Sequence, residues 1–464
     1  MAQNEQKNHY GLSLNDIMAA SGLTEKIGFT VLMLAVYRLG VHIPLSGIDQ
    51  DALKSNSTLS SGLLGLVDMF AGGALSALSI FALGIGPYIT ASIIMQLLVE
   101  VIPGLKDMQR HQGEEGRKQY QQLNRYAAFF LACVQSFALA RFLDVSRIAE
   151  DAGSWFYLST IFILSVSAIL VMWIGEIITE KGIGNGASLL IFIGIASKLP
   201  IMIKDTATAV RVGSSPQMGV LALLAVFVVM TILIILLQEG ARNLLIVGAK
   251  RVGANSKGHS LPLKINPAGV LPIIFASAVL FMPMQLLTFA GIQNKSVSMI
   301  VRDIFAAIPG VSSLGATPLG DLGTWLSMRL EYIFSYTKIE HSIAYFILII
   351  AFTFFYATIV TNPREMADNL KKGGSAIEGV KPGKPTTEYL EKVLSRIVFI
   401  GAIAIGLIAV VPIHAEQWCQ VNTLGGLGST SLIILVGVAI DTRNQILAYV
   451  HSHRYQAKSL LRRT

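Results

Sequence analysis

Few residues in this 464-residue chain are spaced for catalysis. Gly186-Ala187-Ser188 has the Gly-x-Ser form of an intramembrane serine nucleophile, but His414 falls at or beyond the end of its own apolar stretch and gives that serine no partner at depth. The three are read instead as small residues that let helices approach closely. Arg38 and His42 are four apart and share one helix face. An arginine at the centre of a membrane helix costs about 2.5–3.5 kcal/mol on insertion scales, so pairing with a backbone carbonyl, or snorkelling, is expected. The run Gly182-Ile183-Gly184-Asn185-Gly186 reads as a turn, because no strand precedes it to make a dinucleotide loop. There is no His-Glu-x-x-His, no Gly-x-x-x-x-Gly-Lys-Ser/Thr and no Cys/His cluster, and Cys133 and Cys419 make neither a disulfide framework nor a metal site. The expectation is a protein that is not an enzyme, with no catalytic residue, metal or cofactor.

The chemistry that remains is exclusion. Pro87-Tyr88-Ile89-Thr90-Ala91-Ser92 is echoed by Pro272-Ile273-Ile274-Phe275-Ala276-Ser277, and Ser188-Leu189-Leu190-Ile191 by Ser431-Leu432-Ile433-Ile434. The echoes single out Ile89, Ile274, Ile191 and Ile434 as related positions, with Ile85 one turn before Ile89 on the same face. Any single isoleucine in an apolar helix is ordinary packing. Several at matched positions could form a hydrophobic constriction that dewets, blocks ions and yet opens when its side chains move aside.

The elements that would position such a ring are membrane helices. Apolar types make up 53% of the chain and charged types 14%, against about 25% charged in a soluble domain. A crossing needs about 20 mostly apolar residues. Ten stretches qualify: 26–45, 76–100, 124–143, 155–176, 187–203, 218–238, 267–289, 342–361, 395–413 and 428–447. An even number puts both termini on one side, and most of the 36 Lys and Arg residues fall on that side, which makes it cytoplasmic. The echoed positions are five spans apart, and five is odd, so the halves are inverted repeats. The organisation expected is a cytoplasmic amino terminus (1–25), a five-helix half (26–203), an external linker (204–217), a second five-helix half (218–447) and a cytoplasmic tail (448–464). The polar first residues carry no cleaved signal pattern, so the first span directs insertion. Inverted repeats also occur in secondary transporters, the alternative reading, but acidic residues of the kind that couple transport are almost absent from the spans.

Outside the spans three segments carry signal. Leu63, Leu66, Val67 and Phe70 follow helical spacing, with Asp68 on another face and Gly72-Gly73 closing the stretch. It is too short to cross, and its periodicity fits equally an interfacial helix and a re-entrant one. Residues 290–341 form a long external insert rich in Gly, Pro and Ser. Two cytoplasmic loops, 239–264 and 362–394, hold Arg242, Lys250, Arg251, Arg364, Lys371 and Lys372. Orientation alone accounts for many of these charges, but their clustering suits a large anionic partner such as structured RNA, or an acidic protein surface.

Arg38-Leu39-Gly40-Val41-His42-Ile43-Pro44, Met69-Phe70-Ala71-Gly72-Gly73-Ala74-Leu75, Ser79-Ile80-Phe81-Ala82-Leu83-Gly84-Ile85, and stretches 87–96, 113–118, 177–186, 261–277 and 362–372 closely resemble the SecY family of bacterial protein-conducting channel subunits. The resemblance runs along nearly the whole chain. It implies an all-α membrane protein of ten helices in two inverted halves around an hourglass channel for unfolded secretory proteins, with a lateral exit for membrane segments. It puts a pore ring on Ile85, Ile89, Ile191, Ile274 and Ile434, and a re-entrant plug on 62–74, including Leu63, Leu66, Val67, Asp68, Phe70, Gly72 and Gly73. It implies lateral-gate residues Gln96 and Gln135, and docking of the ribosome and the SecA ATPase on the two basic loops, with Arg364 foremost. Small subunits like SecE and SecG, unfolded preprotein, signal peptide and membrane lipid are the further partners implied, in the bacterial inner membrane. The family usually has an arginine doublet where this chain has Arg242-Asn243.

Overall fold

Hydrocarbon offers backbone groups no water, so apolar runs there must close their own hydrogen bonds as helices. The computed structural model, which describes residues 22–49, 68, 71–110, 113–149, 153–248, 259–289, 338–421 and 429–461, carries a helix at each of the ten expected stretches. In chain order the helices are α1 (Leu23–Val41), α2 (Gly86–Val101), a short α3 (Pro103–Arg110), α4 (Gly113–Val145), α5 (Ser154–Lys181), α6 (Gly186–Val212), α7 (Gln217–Glu239), α8 (Leu271–Phe289), α9 (Ile339–Val360), a short α10 (Pro363–Lys372), α11 (Lys384–Trp418) and α12 (Ser429–Leu461). Three strands stand between them: β1 (Ala241–Gly248), β2 (His259–Lys264) and β3 (Ser375–Ile377). Among the described residues, seven helices are long and apolar enough to cross a membrane. At 1.5 Å per residue, α4, α11 and α12 are each about 50 Å long and overrun the hydrocarbon.

The chain forms two compact units, Met1–Lys198 with Val438–Thr464, and Leu199–Gly437. In the first, α1 uses a seven-residue stripe. Leu23 packs with Ile183 and Val450, the Thr30 hydroxyl accepts the amide of Ile183 at 3.0 Å, and the Tyr37 hydroxyl donates to the carbonyl of Ala71 at 3.2 Å. Helices α4 and α5 pack side by side, with Ser136 and Ser165 hydroxyls 3.2 Å apart and Arg125 paired to Glu176. The glycine run 182–186 is the turn expected. Gly184 has φ +92°, and the Thr179 hydroxyl accepts from the amide of Gly186 while donating to the carbonyl of Gly175. A Cβ on Gly186 would lie 1.9 Å from that carbonyl oxygen, so the small residue is required by the close α5–α6 approach.

In the second unit α9 packs on α8 and α11. Phe275 meets Phe352 and Tyr356 edge-on at 6.1 and 5.8 Å, and a Cβ on Gly406 of α11 would strike the Phe346 ring at 2.6 Å. Leu223 of α7, Ala415 and Val421 form a separate cluster.

Three expectations need correction. Residues 76–85 are apolar but not helical. They run through turns with Leu78 and Gly84 at φ +40° and +52°, and α2 begins only at Gly86. Hydropathy could not separate this protein-packed chain from a lipid-exposed helix. The stretch 204–217 is not a linker over most of its length, because α6 continues to Val212. It is stopped by Gly213 at φ +80°, with the amides of Ser214 and Ser215 turned back onto the carbonyl of Ala209. The two basic segments 239–264 and 362–394 are not loops alone, since they contribute the three strands. The insert 290–341 lies mostly outside the described residues.

The α5–α6 contact makes a direct test. Gly186→Val should destabilise the protein by about 1–3 kcal/mol, the usual range for overpacking. Gly28→Ala, inside α1 with nothing within 4 Å of its Cβ, should not lower stability and should raise it by up to about 1 kcal/mol. Thermal unfolding midpoints of the purified protein in detergent measure both.

Candidate functional site

The two sequence echoes fall at the same structural offsets. Pro87 is the second residue of α2 and Pro272 the second of α8. In each case a glycine two residues before the helix has a left-handed backbone, Gly84 at φ +52° and Gly269 at φ +63°. Proline at a helix start has no amide to leave unpaired, and glycine alone enters that turn cheaply. Ile89 and Ile274 are thus both fourth residues, and each amide bonds the residue four before it, Ile85 and Val270. Ser188 and Ser431 are third residues of α6 and α12, which makes Ile191 and Ile434 both sixth. Ile85, Ile89 and Ile191 belong to the first unit and Ile274 and Ile434 to the second. Ile85, Ile191, Ile274 and Ile434 are buried, and Ile89 is part-buried.

Leu63, Leu66, Val67 and Phe70 lie outside the described residues. Asp68 is described and is buried, its side chain 2% exposed and paired with Lys198 of α6. Its Oδ1 also accepts the amide of Ser76 at 2.7 Å, and its carbonyl accepts that of Gly73 at 2.8 Å. Gly72 and Gly73 both have positive φ. Arg38 donates to the carbonyl of Gly72 at 2.9 Å, the carbonyl pairing expected for it, and His42 bonds the carbonyl of Arg38. Farther along, the amide of Ile80 bonds the carbonyl of Ile43, the amide of Leu45 bonds that of Leu78, and Tyr37 stacks on Phe81 at 5.8 Å.

Gln96 sits part-buried on α2 and Gln135 buried on α4. The structure does not bring them together. The helices run antiparallel, with Asn124 donating to Ser92 at 3.0 Å, so the two glutamines lie about 20 Å apart along the axis at 1.5 Å per residue. Oε1 of Gln96 and Oδ1 of Asn124 are buried without a partner among the described residues. Asn124 was missed because it begins an apolar stretch, where a polar residue reads as a boundary.

The basic segments meet in one module. β1 pairs antiparallel with β2, Arg242 opposite Leu263, and with β3, Ile246 opposite Ile377. Leu244, Leu263, Ala367, Ile377, Leu390 and Val393 form its core. The short apolar run Leu244-Leu245-Ile246-Val247, closed by Gly248, was the available signal for a strand. In α10 the side chain of Asn362 accepts the amide of Arg364 at 3.2 Å, and Pro363 stands at the helix start. Arg242, Arg364, Lys371 and Lys372 are exposed, the last two in the final turn, where cations suit the helix dipole. Lys250 and Arg251 lie outside the described residues.

Because these module residues share one core, breaking it should disturb both segments. Leu244→Ala should cost about 2–5 kcal/mol of local stability and speed amide exchange in both 241–248 and 375–377. Exchange confined to 241–248 would show that the strands are independent.

The SecY family profile matches residues 79–443. The chain is 42% identical over 446 residues to the protein translocase subunit SecY of Synechococcus elongatus, covering 94% of each chain. It is 37% identical to that of Aquifex aeolicus, covering 95% of this chain and 97% of the other. Among solved structures it is similar in fold to a protein-conducting channel, with TM-score 0.62 and 18% identity over 97% of this chain and 96% of the other. It is similar also to Sec61 in the canine ribosome–channel complex, with TM-score 0.59 and 17% identity over the same shares.

Proposed function

The chain belongs to the SecY family of protein translocase subunits, and on that premise we propose how its residues let unfolded secretory polypeptides cross a membrane and apolar segments leave sideways into lipid. The protein is a multi-pass membrane protein and a translocase channel subunit. The observation that carries the proposed mechanism is the repeat of Ile89 with Ile274 and of Ile191 with Ile434 at equal offsets from their helix starts. With Ile85 these side chains form the proposed ring. Aliphatic side chains bind no ion and shed water from a narrow passage, so the ring resists ions while presenting no fixed polar partner to a passing chain.

The proposed plug is the segment around Asp68 and Gly72-Gly73. The proposed lateral gate runs along α2 and α4, where Gln96, Ser92, Asn124 and Gln135 interrupt otherwise apolar faces at several depths. Buried amides without full partners loosen helix contacts, which suits a surface that must part. The proposed docking face is the module of β1–β3 and α10. Arg364 is held at a helix start by Pro363 and Asn362 and can offer a bidentate fork to a phosphate or carboxylate. Ribosomal RNA and the SecA ATPase are the partners proposed for it, in a bacterial inner membrane with both termini cytoplasmic. The outward face of α7, with Leu221, Leu224 and Val228 exposed, meets lipid or the small SecE-like and SecG-like subunits.

The test is reconstitution of the full chain, in the complex in which it purifies, into vesicles, with SecA, ATP and a preprotein. Import supports the reading. Uptake of a small solute down an ion gradient, without import, would contradict it.

Two variants separate the parts. Ile89→Gly with Ile274→Gly should raise resting ion conductance several-fold while import persists. Unchanged conductance, also after adding changes at Ile85 and Ile191, would remove the ring assignment. Arg364→Glu should insert normally, as shown by protease-accessible topology, but lose most SecA-driven import or ribosome affinity. Arg364→Lys should be intermediate, because lysine keeps the charge and loses the fork. Wild-type behaviour of Arg364→Glu with failure of Lys381→Glu would move docking elsewhere in the loop.

A further inference from the structure

The contacts of the segment that starts at Asp68 are chemically one-sided. The carboxylate of Asp68 and the carbonyls of Ala71 and Gly72 accept, while Lys198 of α6 and Tyr37 and Arg38 of α1 donate. Two of those donors are cations on two different helices. The segment therefore acts as an acceptor strip laid across α1 and α6.

The fit is built for the charge pair. Asp68 is almost fully buried and Lys198 is 22% exposed, so the pair sits where an unpartnered charge is costly. The amide of Ser76 takes the second carboxylate oxygen of Asp68, fixing its direction. Gly73 lets the lysine stem pass, since a Cβ there would stand 3.3 Å from Cε of Lys198. Gly72 lets the backbone lie against α6, since a Cβ there would meet Cα of Gly194 at 2.9 Å. Both glycines also have positive φ, which a side chain would strain.

We propose that the Asp68–Lys198 ion pair, seconded by Arg38 on the Gly72 carbonyl, is an electrostatic latch that fastens this segment to α1 and α6 and sets how readily the resting channel opens. The proposal rests on the channel reading above. When the segment leaves, Arg38 and Lys198 lose their acceptors together, and a buried carboxylate loses its cation. Opening is thus opposed by unpairing three charges, and water or the acceptor groups of an entering polypeptide lower that barrier.

The experiment uses the full chain in its purified complex, in planar bilayers for resting ion conductance and in vesicles for SecA-driven import of a preprotein. Asp68→Asn, Lys198→Gln and the reversals Asp68→Lys and Lys198→Asp should each raise resting conductance about tenfold or more, since removing one partner strands the other. The double reversal, Asp68→Lys with Lys198→Asp, should return conductance to within about threefold of wild type. A merely misfolded site would not be rescued by exchanging the charges. If wild type imports preprotein but no single variant leaks, or if the double reversal leaks as much as the worse single variant, the latch is overturned. If wild type imports nothing, the channel reading itself fails, and the latch with it.

Discussion

A backbone that is not helical cannot rest in hydrocarbon unless protein satisfies its amides and carbonyls. Much of the backbone of residues 71–85 is bonded in this way. α1 gives them Tyr37 and Arg38, and the chain after α1 gives them the carbonyl of Ile43 and the amide of Leu45. Gly40 clears room for Phe81, which a Cβ would strike at 1.9 Å. The remaining bonds are made within the segment, such as Ser79 to Ala74 and Gly84 to Phe81. Its partners outside the segment are side chains of α1 and the short chain after it, so on the proposed reading the segment is released without unfolding a helix. This property joins the fold to a channel that must be shut at rest and open in use.

Chemical roles are divided among the parts. At the echoed helix starts the side chains are isoleucine, for which dewetting and packing are the proposed contribution. Along α2 and α4 they include amides and hydroxyls, at the proposed lateral gate. At the strand module they are guanidinium and ammonium groups on a scaffold with its own core, the proposed platform for a large partner. None of these tasks asks for bond-making chemistry, in keeping with a translocase subunit that lends a path and leaves the driving force to its proposed partners.

The helices were legible because crossing demands long apolar runs, and each of the ten stretches holds a helix. The ends were less legible. Lys204 and Asp205 read as the close of a span, yet α6 runs past them to Gly213, because charges end a hydrophobic slab without ending a helix. Residues 76–85 misled for the opposite reason, being apolar because protein surrounds them. The sheet was overlooked although Leu244-Leu245-Ile246-Val247 is an apolar run of strand length, since its three short strands come from two distant segments and none shows a clear alternation. The equal helix offsets of Ile89 with Ile274 and of Ile191 with Ile434 were legible from the repeat alone. The partner of Asp68 was not, because Lys198 is 130 residues away and looked like an orientation charge.

On the proposed reading, the segment around Gly72-Gly73 and the turns that follow it to Ile80 are held by protein at rest and let go in use. Hydrogen exchange at the amides of Gly73, Ala77, Leu78, Ser79 and Ile80, each bonded to a carbonyl at 2.8–3.1 Å, measures this directly. Slow exchange is expected in the resting complex and much faster exchange when a preprotein is stalled midway through the channel, with the amides inside α4 and α5 unchanged in both. Slow exchange that persists unaltered in the stalled complex would contradict that reading, as would fast exchange at rest.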